Sequence, residues 1–319
     1  MSATTVSKTV EVDTPPYTSH YAEKRVNFAR MVRSEWLKLW TLRSTWWVSI
    51  LTIVLMMAMG LLFSAVIQIM LNQADGGASM GAAMDSGNDG FDMTNAGALV
   101  LASGYQFAQL TVAVFGVMSI SNEYSSGMIR ATFSAAPRRL RTLWAKLLVV
   151  TATTTVIAVL GLVLAWAATY PILSHNNMTV DFSSGTTIRA LVGVVLYLIL
   201  ISWFSLGFGT ILRHTAGGIS TVMGILLVLP MITGIIMATA PTVSWVGTIN
   251  KYLPPEAGAQ VIMGGLTGDA TVSVGGSADG GGVMSMMQTL SPWVGFAVLA
   301  AYTVVVVIIA AIRIKKSDA

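Results

Sequence analysis

Apolar residues in this chain fall in long unbroken runs rather than in the alternation of a half-buried strand or the stripe of a surface helix. Six runs contain no charged residue: 46–71, 96–121, 147–174, 190–212, 215–250 and 283–312. About 20 apolar residues cross a bilayer as a helix, so the pattern predicts six spans, at about 46–71, 96–121, 147–172, 190–212, 215–240 and 289–312. Segments of about 10 alternating residues, the mark of a membrane barrel, are absent. The first run starts too late and is too long for a cleaved signal peptide. The expected fold is an all-α polytopic membrane protein.

One stretch before the spans has a helical period. In Asn27 to Thr45, Phe28, Met31, Val32, Trp36, Leu39, Trp40 and Leu42 share a broad face, with Arg30, Arg33 and Lys38 opposite. Glu35 and Arg43 intrude on the apolar side and Leu37 on the polar side. Such a segment, 27–45, is expected to lie in the headgroup plane with its tryptophans at the boundary; the plainer alternative is an extension of the first span. Residues 1–26 are polar, include Pro15–Pro16 and have no apolar period, and are expected to form a disordered tail. Residues 46–319 then make up the six-span domain. Pro230 is expected to kink the fifth span, as neighbouring membrane helices permit.

Composition agrees with this class. Hydrophobic residues make up 54% of the 319 and charged residues 10%, with mean hydropathy +0.72, far from the quarter of charged residues in a soluble domain. The charges set an orientation. Sixteen of the 18 Lys and Arg residues fall before the first span, between spans two and three, between spans four and five, or after span six; Arg189 and Lys251 fall on the other side. The positive-inside rule places the larger group, and both termini, in the cytoplasm of a cell membrane. The basic pI of 9.4 thus reflects orientation, and no nucleic-acid partner is expected.

Chemistry is scarce. There are no cysteines, which excludes thiolate metal sites, disulfides and cysteine nucleophiles. No Gly-Lys pair occurs, so there is no phosphate loop for ATP. Neither a His-Glu-x-x-His helix nor a Gly-x-Ser-x-Gly elbow is present. Neither charge nor histidine interrupts the spans, where ion-driven carriers place ionisable groups. The run 85–90 is a poor calcium loop, because Gly87 and Ala96 stand where oxygen ligands are needed. Met80, Met84, Met284, Met286 and Met287 could offer thioethers to Cu(I), although gap-filling is the simpler role for methionine. No catalytic, cofactor or metal residues are assigned, and the chain is not expected to be an enzyme.

Further features have definite places. Glu123-Tyr-Ser-Ser-Gly-Met-Ile-Arg130 follows span two, and Pro137-Arg-Arg and Lys146 precede span three. Tyr252-Leu-Pro-Pro-Glu-Ala-Gly258 lies in the outer segment, about 241–288, whose stretch 264–282 is rich in glycine. Glu123 and Lys146 both lie where spans two and three leave the membrane, and an unpaired charge at that depth is costly. They are expected to form an ion pair, tolerant of a simultaneous reversal of both charges.

Together with Arg33-Ser-Glu-Trp-Leu-Lys-Leu and the six spans, these motifs resemble the permease subunits of type-2 ATP-binding-cassette exporters, actinobacterial ones in particular, over about residues 28–313. The resemblance implies that 123–136 is a coupling helix seated in a cytoplasmic cassette ATPase, with Glu123, Tyr124, Gly127, Met128, Ile129 and Arg130 at the contact. Phe28, Val32, Trp36, Leu39 and Trp40 would belong to a connecting helix beside it, and the segment after span five would cap the cavity. It also implies a second permease copy or a homologue, and ATP and Mg in the partner ATPase. Expected cargo is hydrophobic or amphipathic. The alternative is an ATP-independent membrane channel or scaffold. Residues 264–282 and the N-terminal tail have no counterpart in the pattern.

Overall fold

The computed structural model describes residues 27–75, 93–128, 139–175, 180–239, 244–264, 266 and 290–316. The tail 1–26, the loop at 85–90, the methionines at 80, 84, 284, 286 and 287, residues 129–138 and nearly all of 264–282 lie outside them. The described residues are helical, without a strand. In order come α1 (Phe28–Thr41), α2 (Arg43–Asp75), α3 (Met93–Ser103), α4 (Tyr105–Ser125), α5 (Arg139–His175), α6 (Gly185–Leu212), α7 (Thr215–Met223), a π-turn (Gly224–Val228), α8 (Leu229–Thr239), α9 (Ser244–Tyr252), α10 (Pro254–Met263) and α11 (Pro292–Lys316).

Six helical segments are long and apolar enough to cross a membrane: Arg43–Ile69, Asn95–Ser125, Leu140–His175, Gly185–Leu212, Thr215–Thr239 and Pro292–Lys316. A multi-pass membrane protein is the class this architecture supports. The helices overrun the charge-free runs, because a helix continues into the headgroup region wherever its backbone bonds are made. Arg43 therefore opens α2, Glu123 lies in the last turn of α4, and Lys146 stands two turns inside α5.

The second span is central, with 72% of its most apolar window buried, whereas the first and fifth are the least covered, at 22% and 17%. Small residues let the backbones approach, as membrane helices require where lipid offers no hydrophobic drive. A Cβ at Gly116 would stand 2.5 Å from the carbonyl oxygen of Ser202, and one at Gly104 would stand 2.8 Å from Cα of Met56. Spans two and four, and spans one and two, thus touch main chain to main chain. Tyr197, Leu198 and Ile201 of α6 and Met56 of α2 fill the buried centre with Val112, Val117 and Leu299.

Pro230 acts on the fifth span as its chemistry requires. It has no N–H to give and its ring crowds the carbonyl four residues back; the chain widens just before it into the π-turn, with Leu229 N–H reaching Gly224 O. Beyond this span, α9 and α10 are short. Pro254 and Pro255 open α10 at positions where a missing N–H is harmless. Gly258 of α10 lies against Tyr197 and Leu299, and Arg189 donates to the Gly264 carbonyl. Arg189 and Lys251 therefore lie at the end of the bundle away from α1. We call the end that holds α1 the basic end.

Candidate functional site

At the basic end, α1 presents Met31, Glu35 and Leu39, spaced by four, as its buried stripe. Met31 packs on Ala145 of α5, and Leu39 joins Phe115, Ile120, Leu143, Leu147 and Ile314. Glu35 lies in the middle of that stripe, with 2% of its surface exposed. A carboxylate there must be answered by a cation.

Lys146 answers it. Its Nζ lies 2.7 Å from Glu35 Oε2 and 3.0 Å from Glu123 Oε1, and donates at 3.0 Å to the Ser119 carbonyl one turn before Glu123. Lys38, one turn along from Glu35, closes the group: its Nζ is 2.7 Å from Glu35 Oε1 and 3.2 Å from Glu123 Oε1. Two acids and two cations therefore alternate in a cluster of zero net charge. The side chains of Glu35, Lys146 and Glu123 are 3%, 4% and 9% exposed, and that of Lys38 is 31% exposed. One carboxylate oxygen, Glu123 Oε2, is buried and has no hydrogen-bond partner among the described residues.

The cluster governs the protonation of its members on α1. Burial pushes the Glu35 carboxyl up, but the charges and hydrogen bonds of Lys146 and Lys38 outweigh it and hold the group below its ordinary value. For Lys38, burial pulls the ammonium down, and Glu35 and Glu123 more than reverse this. Glu35 and Lys38 therefore stay charged at neutral pH.

A second contact ties the turn between spans four and five to the same place. Arg213 is the residue with positive φ, 57°, that ends α6. Its guanidinium sits 5.5 Å from the centre of the Tyr124 ring. Thr215 donates to Ser121 at 3.0 Å, and His214 Nδ1 accepts from Gly217 N–H to cap α7.

Glu123 and Lys146, singled out from the sequence, are thus in contact, but in a larger arrangement. A reversal of these two alone would set a lysine at 123 against Lys38 and a glutamate at 146 against Glu35, so the two-residue swap does not conserve the electrostatics. Glu35 and Lys38 are the members that the sequence reading left out of the pair. The available signal was the intrusion of Glu35 on an otherwise apolar face. Of the broad face expected on α1, Met31 and Leu39 are buried, Val32 and Trp36 half-buried, and Phe28, Trp40 and Leu42 exposed. Glu123 and Tyr124 belong to α4, Gly127 turns with φ 70°, and Met128 is exposed. Ile129 and Arg130, with the rest of the expected coupling segment to 136, lie outside the described residues.

Chemically, the four groups neutralise one another. Mechanically, they tie α1 to the end of α4 and the start of α5, on either side of residues 126–138. No family model matches this chain, and a search of curated proteins finds no match.

Proposed function

We propose that this chain is the membrane-embedded permease subunit of an ATP-driven exporter of the cassette type. It would move a hydrophobic or amphipathic cargo out of the cytoplasm with energy from a separate ATPase. The observation that carries the reading is the buried cluster of Glu35, Lys38, Glu123 and Lys146. A charge cluster excluded from solvent is a poor source of stability compared with apolar packing, so its value lies in fixing how α1, α4 and α5 meet. That is the demand on a protein that must transmit movement from residues 123–136 to its spans. In this reading ATP and Mg belong to the partner, as this chain carries no Gly-Lys phosphate loop.

In this reading the basic end faces the cytoplasm with both termini, and α1 lies in the plane of the membrane as a connecting helix. The ATPase docks on residues 123–136, with Tyr124, Gly127, Met128, Ile129 and Arg130 at the contact. A second copy or a homologous permease completes the cavity, and α9 and α10 cap its outer side. The spans offer apolar side chains with scattered Ser, Thr and Gln, which suits an uncharged path.

The test is purification of the tagged chain in mild detergent, followed by an ATPase assay. A cassette ATPase in about equal amount is expected, lost or uncoupled by Glu123→Ala or Arg130→Ala. A chain that purifies alone and without ATP turnover refutes the reading and favours an ATP-independent channel or scaffold.

A further inference from the structure

A groove of about 490 Å³ lies where α1, α5 and α6 meet, lined by Phe28, Trp144, Leu147, Leu148, Thr151 and Trp203, with Ala152 at its far end along α5. Its polar atoms are already engaged, since Trp203 Nε1 donates to Thr151 at 2.7 Å, and Thr151 to the Leu147 carbonyl at 2.8 Å. The remaining lining is apolar. Trp144 and Leu148, on its rim, are 55% and 49% exposed, so the groove is open along that side of α5.

Two dimensions select the occupant. From Trp144 to Ala152 the groove follows α5 for about 12 Å, at 1.5 Å per residue, close to the depth of one leaflet, half of a core about 30 Å thick. Its mouth lies at the basic end. Arg141 stands three residues before Trp144, hence on the same face one turn nearer that end, and is exposed. No ion pair involving it is present among the described residues. A slot of one-leaflet depth with a tryptophan rim and a cation at its polar mouth complements an anionic lipid: chain along α5, phosphate at Arg141.

We propose that this groove binds one acyl chain of an anionic phospholipid, with Arg141 holding the phosphate. The site is separate from the charge cluster, which faces the opposite side of α5, and does not depend on the transport reading.

The probes are phosphatidylglycerol and phosphatidylcholine with brominated chains, added to the full chain in detergent, with tryptophan quenching as the readout. Phosphatidylglycerol is expected to quench at lower concentration than phosphatidylcholine, by about fivefold for one cation near the surface. Arg141→Gln should abolish this preference and leave quenching by phosphatidylcholine in place. Trp144→Phe, which keeps the groove apolar, should remove part of the quenching that saturates first, the remainder coming from Trp203. Ala152→Phe, which adds a ring to the lining, should weaken both lipids, and an unchanged circular dichroism spectrum would show that it folds. Inorganic phosphate at equal concentration should not compete. Equal binding of the two lipids, a preference that survives Arg141→Gln, saturable quenching unaffected by Trp144→Phe, or competition by phosphate alone would each overturn the proposal.

Discussion

Removing the Lys146 charge is the sharpest probe of the cluster. In Lys146→Met the side chain keeps its length and apolar stem but loses contacts to Glu35, Glu123 and the Ser119 carbonyl. Two buried carboxylates then share Lys38, whose side chain is 31% exposed. Removing one member of a buried pair costs about 3–5 kcal/mol. Lys38→Met is the internal control. It leaves Lys146 between both acids, and a partly exposed pair is worth about 1 kcal/mol or less. The assay is a denaturant titration in mixed micelles, run for Lys146→Met, Lys38→Met and Glu35→Gln singly and for Glu35→Gln combined with Lys146→Met. Glu35→Gln should relieve part of the Lys146→Met loss, because it removes a carboxylate that would otherwise be stranded. The coupling energy should exceed about 1 kcal/mol. If Lys146→Met costs no more than Lys38→Met, or if the two sites are additive within about 0.5 kcal/mol, the four groups do not act as a unit.

The same cluster predicts the pH dependence of stability. The Glu35 carboxyl titrates lower in the folded chain than its ordinary 4.5. The unfolded chain therefore binds more protons in that window, and stability rises with pH through it. The Glu35 contribution is complete above the ordinary value and lost as pH falls through the lowered folded one. Lys38 titrates above its ordinary 10.5, so its contribution is present below that value and lost as pH rises through the folded one.

Three further outcomes follow from local geometry. Gly116→Ala places a methyl 2.5 Å from the Ser202 carbonyl oxygen and 2.8 Å from Ser205 Cβ; it should cost about 1–3 kcal/mol, and an unchanged unfolding midpoint would show that spans two and four are not in main-chain contact. Burial raises the Glu256 carboxyl above its ordinary 4.5, so the charged form opposes folding at neutral pH. Glu256→Gln should raise the thermal midpoint at pH 7, with the gain shrinking toward zero below pH 4.5; a variant less stable at pH 7 refutes this. Thr52 donates to Thr111 at 2.8 Å across spans one and two, and Thr52→Val should cost only about 0.6 kcal/mol, typical of such bonds in a membrane; a loss of several kcal/mol in the same titration would contradict that.

The spans were legible because a charge-free run of 23 residues or more has few alternatives to crossing a bilayer. Their ends were less so. Glu123 reads as the start of a new segment, whereas it closes α4, because the sequence does not display the compensation a charge receives from another helix. For the same reason Glu35 read as a blemish on an apolar face. Its partner Lys146 is 111 residues away, and only the packing of Met31 and Leu39 on α5 brings the two together. The Pro230 kink was legible as a disturbance, but its form was not, since widening into a π-turn depends on what the neighbouring helices leave room for. Spans four and five are joined by Arg213-His214; the seat of Arg213 on Tyr124 depends on spans two and four being neighbours, which no local pattern encodes.

The geometry also bears on which parts can move together. The chain leaves α4 at Ser125 and enters α5 at Arg139, and the cluster ties α1 to both helices beside that connection. A displacement of residues 126–138 would therefore carry α1, α4 and α5 as one body at the basic end. The absence of cysteine makes this directly testable. Met31 and Ala145 pack against each other, so the double variant Met31→Cys, Ala145→Cys should form a disulfide under mild oxidation. On the proposed function, locking these two helices should leave ATP turnover of the assembled complex within about twofold of the reduced form, since a link inside a body that already moves as one opposes no motion. A large loss of turnover on oxidation, restored by reduction, would show that α1 slides on α5 during the cycle and that the cluster is broken and remade rather than held.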